Sequence, residues 1–380
     1  MIDNKIKISD FAKEFDFDDI RAFYDHEVKH VTNRLINDPK FMKLINFLWP
    51  EMTFDEVKLK AAKVDGNIDF QLQFMHGAIR RIVELSSSGL TSSGFEQLDP
   101  KKTYLFVANH RDILLDAAIL QILLVEHGFN TSEITFGSNL KDPGFITDFG
   151  KLNRMFTVLR EGTSKELYKI SQKLSAYIRH TIVDKEVSVW IAQRNGRTKD
   201  GNDMTQTGLL KMLNMSGDKD FVTNFSQLNI VPISISFEYE PCDVLKVQES
   251  YLSSLHTKYV KAPGEDMNSI LTGIKQPKGK IHVTFGKPIL KELKEIDKAN
   301  NDNEKIKLLT AQIDKQIYSG YKLNAVNYIA YDLLHDTNIF ENNYSNKEKE
   351  DFLNYIASKI DKMTGEADVL TNLFLVLYSN

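Results

Sequence analysis

The chain has 380 residues, of which 42% are hydrophobic and 26% are charged, and its formal net charge is −4. This length allows two or three domains, or one core with additions, and the hydrophobic content is enough for a packed interior. Because no basic excess is present, the composition indicates no nucleic-acid partner. The single cysteine, Cys242, excludes an internal disulfide framework and a cysteine-based zinc cluster, and it fits a reducing compartment.

The sequence predicts neither a secretory signal at its N-terminus nor a membrane-spanning helix. Charges recur every few residues between Met1 and Glu14, so the apolar core of a secretory signal is missing. No apolar run reaches the roughly 18 to 20 residues that a spanning helix needs. We therefore expect a cytoplasmic protein, either soluble or peripheral on the inner face of the cytoplasmic membrane. The mixed apolar and aromatic segment Phe41–Trp49 fits either a bilayer interface or the core of a helical domain.

Residues 1–95 show apolar side chains at helical spacing, which predicts an N-terminal helical domain. Separate helical patterns cover Phe41–Trp49 and Phe70–Leu85. The serine- and glycine-rich segments Ser86–Gly89 and Ser92–Gly94 are typical of loops, and we place a domain boundary there.

Residues 96–290 alternate short apolar strands with helical patterns, which predicts an α/β domain with a mixed, mostly parallel sheet flanked by helices. The predicted strands are Tyr104–Ala108, Ile134–Gly137, Met155–Leu159, Val187–Ala192, Ile230–Phe237 and Lys280–Phe285. The predicted helices are Ile113–Glu126, Lys165–Thr181 and Thr205–Asn214. Ligand sites in such sheets lie at the carboxyl ends of the strands, where polar clusters follow three of these strands.

Residues 291–380 form a C-terminal helical extension in this interpretation. Helical patterns cover Glu304–Tyr321, Ala325–Leu334 and Lys347–Met363. We expect this extension to be a cap or a surface for a partner.

The first polar cluster contains His110, Asp112 and Asp116, between the strand ending at Ala108 and the helix beginning near Ile113. An imidazole held by a carboxylate is what a general base for hydroxyl chemistry needs. Asp116 lies about one helical turn into the helix, close enough to the loop to orient His110. The alternative is structural, with Asp112 capping the helix and His110 in a turn.

Two further clusters carry cations. Arg160 follows a strand and can bind a phosphate through its planar guanidinium, or it can simply pair with Glu161. The loop after the next strand carries glycine and cations, so it can bind an anion through backbone N–H groups, or it can be a solvated surface loop. Its candidate residues are Arg194, Asn195, Gly196, Arg197 and Lys199.

The strand Ile230–Phe237 contains Pro232. Because proline has no N–H to donate to a neighbouring strand, we expect this segment to be an edge strand or to contain a bulge.

Taken in order, these clusters resemble the four sequence blocks of the glycerol-phosphate and lysophosphatidic acid acyltransferase superfamily. Asn109 through Asp116 resembles its His-x4-Asp block, and Phe156–Arg160 resembles its Phe-Ile-x-Arg block. Asn195–Arg197 resembles its Glu-Gly-x-Arg block, and Ile230–Ile233 resembles its Val-Pro strand. The resemblance covers about residues 95–290, and the helical ends make the whole chain similar to a Bacteroidetes subgroup described as phospholipid acyltransferase-like.

Two positions depart from the family pattern. Five residues rather than four separate His110 from Asp116, and Leu115 occupies the usual aspartate position. The orienting carboxylate is therefore Asp116 or Asp112, with Asp116 preferred. The third block lacks its glutamate, because that position holds Asn195, or Arg194 without a gap in the alignment.

The resemblance implies an O-acyltransferase of phospholipid synthesis. Its acyl donor is a thioester, acyl-CoA or acyl carrier protein, and its acceptor is glycerol 3-phosphate or lysophosphatidic acid. His110 acts as the base, Arg160, Arg197 and Lys199 hold the acceptor phosphate, and neither a metal nor a cofactor is needed. Two alternatives stay open: a homologue that binds lipid or acyl carrier without catalysis, and a transferase for another acceptor such as an amino-acid lipid.

Overall fold

A computed structural model describes residues 10–138, 144–217, 219–255 and 259–380. In this part of the chain, seven strands form one sheet in the order β1-β7-β6-β2-β5-β3-β4. All neighbouring strands are parallel except β6 and β7, which are antiparallel. Helices cover both faces, so the prediction of an α/β fold with a mixed, mostly parallel sheet is confirmed. The strands are β1 (Gly89–Ser93), β2 (Leu105–Ala108), β3 (Glu133–Gly137), β4 (Met155–Val158), β5 (Val189–Ala192), β6 (Ile230–Phe237) and β7 (Lys280–Phe285).

The predicted loop between the N-terminal helices and the sheet is wrong for residues 89–93. These residues form β1, which pairs in parallel with β7 at the edge of the sheet. Alternate side chains of β1 are exposed, and its serine-rich composition carries no apolar alternation. The division of the chain at residue 95 stays a prediction, although the sheet includes this strand from the N-terminal side of the boundary.

The prediction that Pro232 marks an edge strand or a bulge is also wrong. β6 lies between β2 and β7, and Pro232 pairs in register with Val107 of β2. The antiparallel pairing with β7 begins one residue later, at Ile233 opposite Phe285. The Pro232 carbonyl accepts a hydrogen bond from the Gly286 N–H (2.8 Å), so the proline lies where this ladder ends and a further donor is not needed.

Each face of the sheet packs against its own set of helices because side chains alternate along a strand. In β2, Phe106 and Ala108 pack with the helices of residues 76–86, 115–126 and 265–275. Leu105 and Val107 pack with the helices of residues 164–183, 207–214, 221–228, 291–296 and 302–320. The bounds of the helices in and after the sheet are α7 (Leu115–Glu126), α8 (Phe145–Leu152), α9 (Ser164–Val183), α10 (Thr207–Asn214), α11 (Phe221–Leu228), α12 (Asp243–Leu255), α13 (Glu265–Lys275), α14 (Lys291–Ile296) and α15 (Asp302–Gly320).

The N-terminal helices form a separate hydrophobic cluster that also includes residues of α8. In the segment predicted as either interfacial or core, Phe41, Ile45 and Leu48 are buried and Phe47 is half exposed. The helices here are α1 (Asp10–Lys13), α2 (Asp25–Leu35), α3 (Pro39–Leu48), α4 (Phe54–Ala61), α5 (Asn67–Phe70), a π-helical turn (Gln71–Met75) and α6 (His76–Ser86).

The C-terminal helices form a further cluster with α12. They are α16 (Ala325–His335), α17 (Asn346–Ile360) and α18 (Ala367–Ser379), of which α18 was not predicted. Tyr378 at the end of α18 donates a hydrogen bond to Asp243 (3.0 Å) and accepts one from the Glu240 N–H (3.0 Å). The C-terminal extension therefore packs against the segment that follows β6.

Candidate active site

A groove lies at the carboxyl ends of β2, β5, β3 and β4. Its volume is about 1360 Å³ including the part open to solvent, and His110, Arg160, Arg194 and Arg197 all line it. These residues follow three different strands, and parallel strands deliver their carboxyl ends to one edge of the sheet. The fold thus brings together residues that are up to 87 positions apart in the sequence, from His110 to Arg197.

The side chain of Asn109 fixes the place where the chain leaves the sheet after β2. The Asn109 side chain donates to the carbonyl of Ile235 (3.0 Å) and accepts from the Ile235 N–H (2.8 Å). The Asn109 N–H still donates to the Ile233 carbonyl of β6 (3.3 Å), and its amide side chain makes the next pair of bonds that a backbone residue would make. His110, the next residue, is therefore held at the mouth of the groove.

The imidazole of His110 contacts the carboxylate of Asp116. Its Nδ1 lies 2.9 Å from Asp116 Oδ2, and the same oxygen accepts the backbone N–H groups of Arg111 (2.7 Å) and Asp112 (2.9 Å). With three donors around one oxygen, the carboxylate fixes the proton on Nδ1 and leaves the lone pair on Nε2. The extra residue between His110 and Asp116 is accommodated because the turn folds back over the first turn of α7.

Asp112 has a different environment. Its Oδ1 accepts the N–H groups of Leu114 (2.9 Å) and Leu115 (2.8 Å) at the start of α7, and it makes no hydrogen bond to the imidazole. This is the geometry of a side chain that satisfies free N–H groups at a helix N-terminus. Of the two candidate aspartates, Asp116 is the one that contacts His110.

The surroundings of His110 favour its neutral form. Burial, reinforced by the positive charge of Arg197, lowers the pKa of His110 from 6.5 to about 3. Burial also raises the pKa of Asp116, and the charge of Asp112 acts in the same direction, whereas the two backbone N–H bonds oppose it. The side chain of His110 is still 15% exposed, so a neutral imidazole reaches the groove.

This lowered pKa predicts an acid-dependent loss of stability. Because the folded-state value lies below 6.5, protonation of His110 favours the unfolded chain. The contribution of neutral His110 to the free energy of unfolding is fully present above pH 6.5 and is lost as the pH falls toward 3. In this window the unfolding free energy of the unchanged chain should fall faster than that of His110→Gln, by up to about 1.4 kcal/mol per pH unit. Urea unfolding measures it, and parallel pH curves for the two proteins would contradict it.

The backbone of His110 is bonded to the loop that follows β5. Its N–H donates to Asp203 Oδ2 (3.1 Å), and its carbonyl accepts the Thr198 N–H (3.0 Å). Gln193, at the end of β5, donates to Asp203 Oδ1 (3.0 Å). The position of the imidazole relative to Arg197 is therefore set by direct hydrogen bonds between the two loops.

Buried charges lie behind the imidazole. Arg111 lies 3.4 Å from both Asp203 and Glu240, and its guanidinium lies 4.8 Å from the ring centre of Tyr321. Lys246 donates to Glu240 (2.5 Å) and to the Arg111 carbonyl (2.7 Å). Removal of one partner from such a buried set leaves an uncompensated charge, so these residues hold the His110 loop in one arrangement.

Two arginines of the loop after β5 have unused donors. Arg197 is 8% exposed, and its buried Nη1 has no hydrogen-bond partner among the residues that the structure describes. The buried Nε of Arg194 has none among them either. Another nitrogen of Arg194 donates to the Asn202 carbonyl (3.1 Å). Asn195 and Gly196, which has a φ of 77°, also line the groove. Buried donors without partners are rare, and both of these arginines line the groove.

The structure does not bring Lys199 to the groove. Its Nζ pairs with Glu249 of α12 (2.8 Å), which directs the ammonium toward the C-terminal helices. The next residue, Asp200, accepts a hydrogen bond through its carbonyl from the Asn380 side chain (2.8 Å). Lys199 therefore attaches the loop to α12 in this structure, and its assignment to the acceptor phosphate stays a prediction.

Three residues near the site were not singled out in the sequence. Asp203 bonds to the His110 backbone, Trp190 packs edge-on against the imidazole with ring centres 6.1 Å apart, and Lys261 lines the far end of the groove. Asp203 lies close to the third sequence block, which is a usable signal. The sequence around Trp190 is typical of a core residue of β5, and Lys261 lies far from every motif. Neither residue could therefore be assigned to the site from the local sequence.

Residues 10–138, 144–217, 219–255 and 259–380 contain neither a metal-binding cluster nor a membrane-spanning helix. In these ranges no group of three or more histidine, cysteine or acidic side chains has the arrangement of a metal site. None of the helices in the same ranges is long and apolar enough to cross a lipid bilayer.

The likeness of this chain to known proteins is structural and distant. No family model matches the chain, and no curated protein matches it. Among solved structures, it is similar to the 1-acyl-sn-glycerophosphate (LPA) acyltransferase PlsC from Thermotoga maritima, with a TM-score of 0.40 and 11% sequence identity. The likeness covers 78% of this chain and 94% of that one.

Proposed function

We propose that this protein is an O-acyltransferase that moves a fatty acyl group from a thioester to a hydroxyl of a phosphate-bearing acceptor, glycerol 3-phosphate or lysophosphatidic acid. One observation carries the proposal: a neutral imidazole bonded to Asp116 and the buried arginine Arg197 line the same groove, and one nitrogen of that arginine has no partner in the described part of the chain. A base for a hydroxyl and a cation for an anion are the two groups that this reaction needs from the protein.

The reaction follows from the free lone pair on His110 Nε2. This nitrogen takes the proton of the acceptor hydroxyl as the oxygen attacks the thioester carbonyl, so a C–O bond forms. The C–S bond then breaks, and the imidazolium returns the proton to the departing sulfur. Asp116 accepts the Nδ1–H throughout and stabilises the positive ring. Base assistance of this kind contributes about 100- to 10,000-fold in rate.

Acceptor binding is assigned to the loop after β5. Arg197 lies close enough to His110 for its charge to act on the imidazole, so an anion bound to Arg197 is also close to the reacting hydroxyl. Arg194 supplies a second buried donor, and Gly196 and Asn195 form the rest of the loop wall. Neither a metal nor a cofactor takes part in this mechanism.

The non-catalytic alternative receives less support from the geometry. A protein that only binds lipid or acyl carrier needs no contact between the imidazole and a carboxylate, yet His110 and Asp116 lie 2.9 Å apart. The proposed base is present although the third block holds Asn195 instead of glutamate. A different acceptor, such as an amino-acid lipid, would use the same base, and an assay of a labelled acyl thioester with a panel of acceptors separates the two.

The product of this reaction is a lipid, so the enzyme has to meet a membrane. We propose a cytoplasmic protein with peripheral contact to the inner face of the cytoplasmic membrane. In α3, Phe47 is 49% exposed, whereas the other large apolar side chains of the segment mostly pack in the interior. Sedimentation with liposomes measures this contact directly.

The substitution Arg197→Gln tests the acceptor assignment. It should raise the KM for a phosphate-bearing acceptor by about 10- to 100-fold, because one charge-assisted hydrogen bond is lost. The KM for the donor should stay unchanged. A matched acceptor without the phosphate, such as a monoacylglycerol, should be used equally poorly by both proteins. An equal loss with both acceptors, or no loss with either, would contradict the assignment.

A further inference from the structure

The groove extends well beyond the neighbourhood of His110. Its far end contains Arg160, which follows β4, and Lys261, which precedes α13. In the sheet order, β5 and β3 lie between β2 and β4. Three strand spacings separate the two ends, so the backbone at Arg160 lies roughly 14 Å from the backbone at His110.

The far end has its own set of charges. Arg160 is exposed, and its guanidinium makes no hydrogen bond or ion pair with the residues that the structure describes. The charged group that acts on it is Asp266, which pairs with Lys261 Nζ (2.6 Å). Among the described residues that line this end, two cations and one carboxylate give a net positive charge, separate from Arg197 beside the imidazole.

The two substrates differ in how far their phosphates lie from the reacting atoms. In glycerol 3-phosphate about five covalent bonds join the reacting oxygen to phosphorus, which spans roughly 6 Å. In phosphopantetheine about thirteen bonds join the sulfur to phosphorus, which spans roughly 16 Å when extended. The acceptor phosphate therefore stays near His110, beside Arg197, whereas the donor phosphate can span about the distance that separates the backbones at His110 and Arg160.

We propose that Arg160 and Lys261 form a second anion subsite, which binds the phosphate of the phosphopantetheine arm of the thioester donor. This inference rests on the acyl transfer proposed above. It gives Arg160 a different role from the one that the sequence resemblance implies, since the arginine binds the donor and not the acceptor. The arm would then lie along the groove across the ends of β3 and β5, with the thioester carbonyl at His110.

Three donors distinguish the possible sources of this phosphate. Acyl-CoA and acyl carrier protein both carry it, whereas the acyl thioester of pantetheine lacks it. The substitution Arg160→Gln should raise the KM for the first two donors by about tenfold or more and should leave the KM for acyl-pantetheine unchanged. The KM for the acceptor should not change, and Arg160→Lys should restore most of the donor affinity.

The control is Lys169→Gln, which removes one positive charge from an exposed position of α9. It should leave all three donors unaffected. The proposal is overturned if Arg160→Gln raises the acceptor KM, weakens acyl-pantetheine equally, or affects only one of the two phosphate-bearing donors. Failure of the transfer reaction itself is a separate result, because the unchanged protein would then acylate no acceptor with any of the three donors.

Discussion

The substitution His110→Gln should lower kcat for acyl transfer by about 100- to 10,000-fold, because glutamine has no nitrogen lone pair that accepts the hydroxyl proton. The KM values for donor and acceptor should change little, since the proposed phosphate ligands, Arg197 and Arg160, remain in place. Steady-state kinetics with a labelled acyl thioester, together with a thermal unfolding curve, measure both effects.

The chain offers a matched control for this experiment. His180 of α9 also contacts an aspartate, with its Nδ1 2.7 Å from Asp184 Oδ2, but it stacks on Phe17 and does not line the groove. His180→Gln therefore removes an equivalent histidine–aspartate pair and should keep full activity. If His110→Gln retains the kcat of the unchanged protein, the imidazole is not the base.

The substitution Asp116→Asn should have a comparable effect for a different reason. Asparagine keeps an oxygen for the N–H groups of Arg111 and Asp112, so the turn can still form. It no longer fixes the proton on His110 Nδ1, and it removes the charge that stabilises the imidazolium. In enzymes that use the same pair, this change lowers kcat on the order of 10,000-fold.

Asp184→Asn is the control for this second substitution, since it alters the carboxylate of the His180 pair outside the groove. Its kcat should match that of the unchanged protein. An Asp116→Asn protein that is folded by circular dichroism and fully active would show that the carboxylate serves the turn alone. In that case Asp116 would be a structural residue, as Asp112 is.

The strands with apolar, β-branched composition were predictable from the sequence to within one or two residues. β6 and β7 have the predicted bounds, and β2 to β5 differ by one or two residues at their ends. The missed strand, β1, is rich in glycine and serine and is held by its pairing with β7, which local composition cannot indicate. The prediction from Pro232 was wrong because a proline is tolerated inside a sheet where the neighbouring hydrogen-bond ladder ends. The end of that ladder depends on tertiary structure and cannot be read from the local sequence.

In the candidate site, too, contacts within one local segment were predictable and contacts between separate segments were not. The contact between His110 and Asp116 was accessible because both residues lie in one strand-to-helix turn, where spacing limits the geometry. The pairing of Lys199 with Glu249 and the bonds of Asp203 to the His110 backbone join separate segments, so no local pattern contains them. The position of Lys261 at the far end of the groove also depends on packing between separate segments, so the sequence did not predict it.

The central claim is that the groove transfers an acyl group to a phosphate-bearing hydroxyl compound. The most direct test measures thiol release and ester formation together, with purified protein, a labelled acyl thioester and glycerol 3-phosphate or lysophosphatidic acid. One ester should form for each thiol released, and no thiol should be released when the acceptor is omitted. Thiol release without ester, or no reaction with either acyl-CoA or acyl carrier protein, would contradict it.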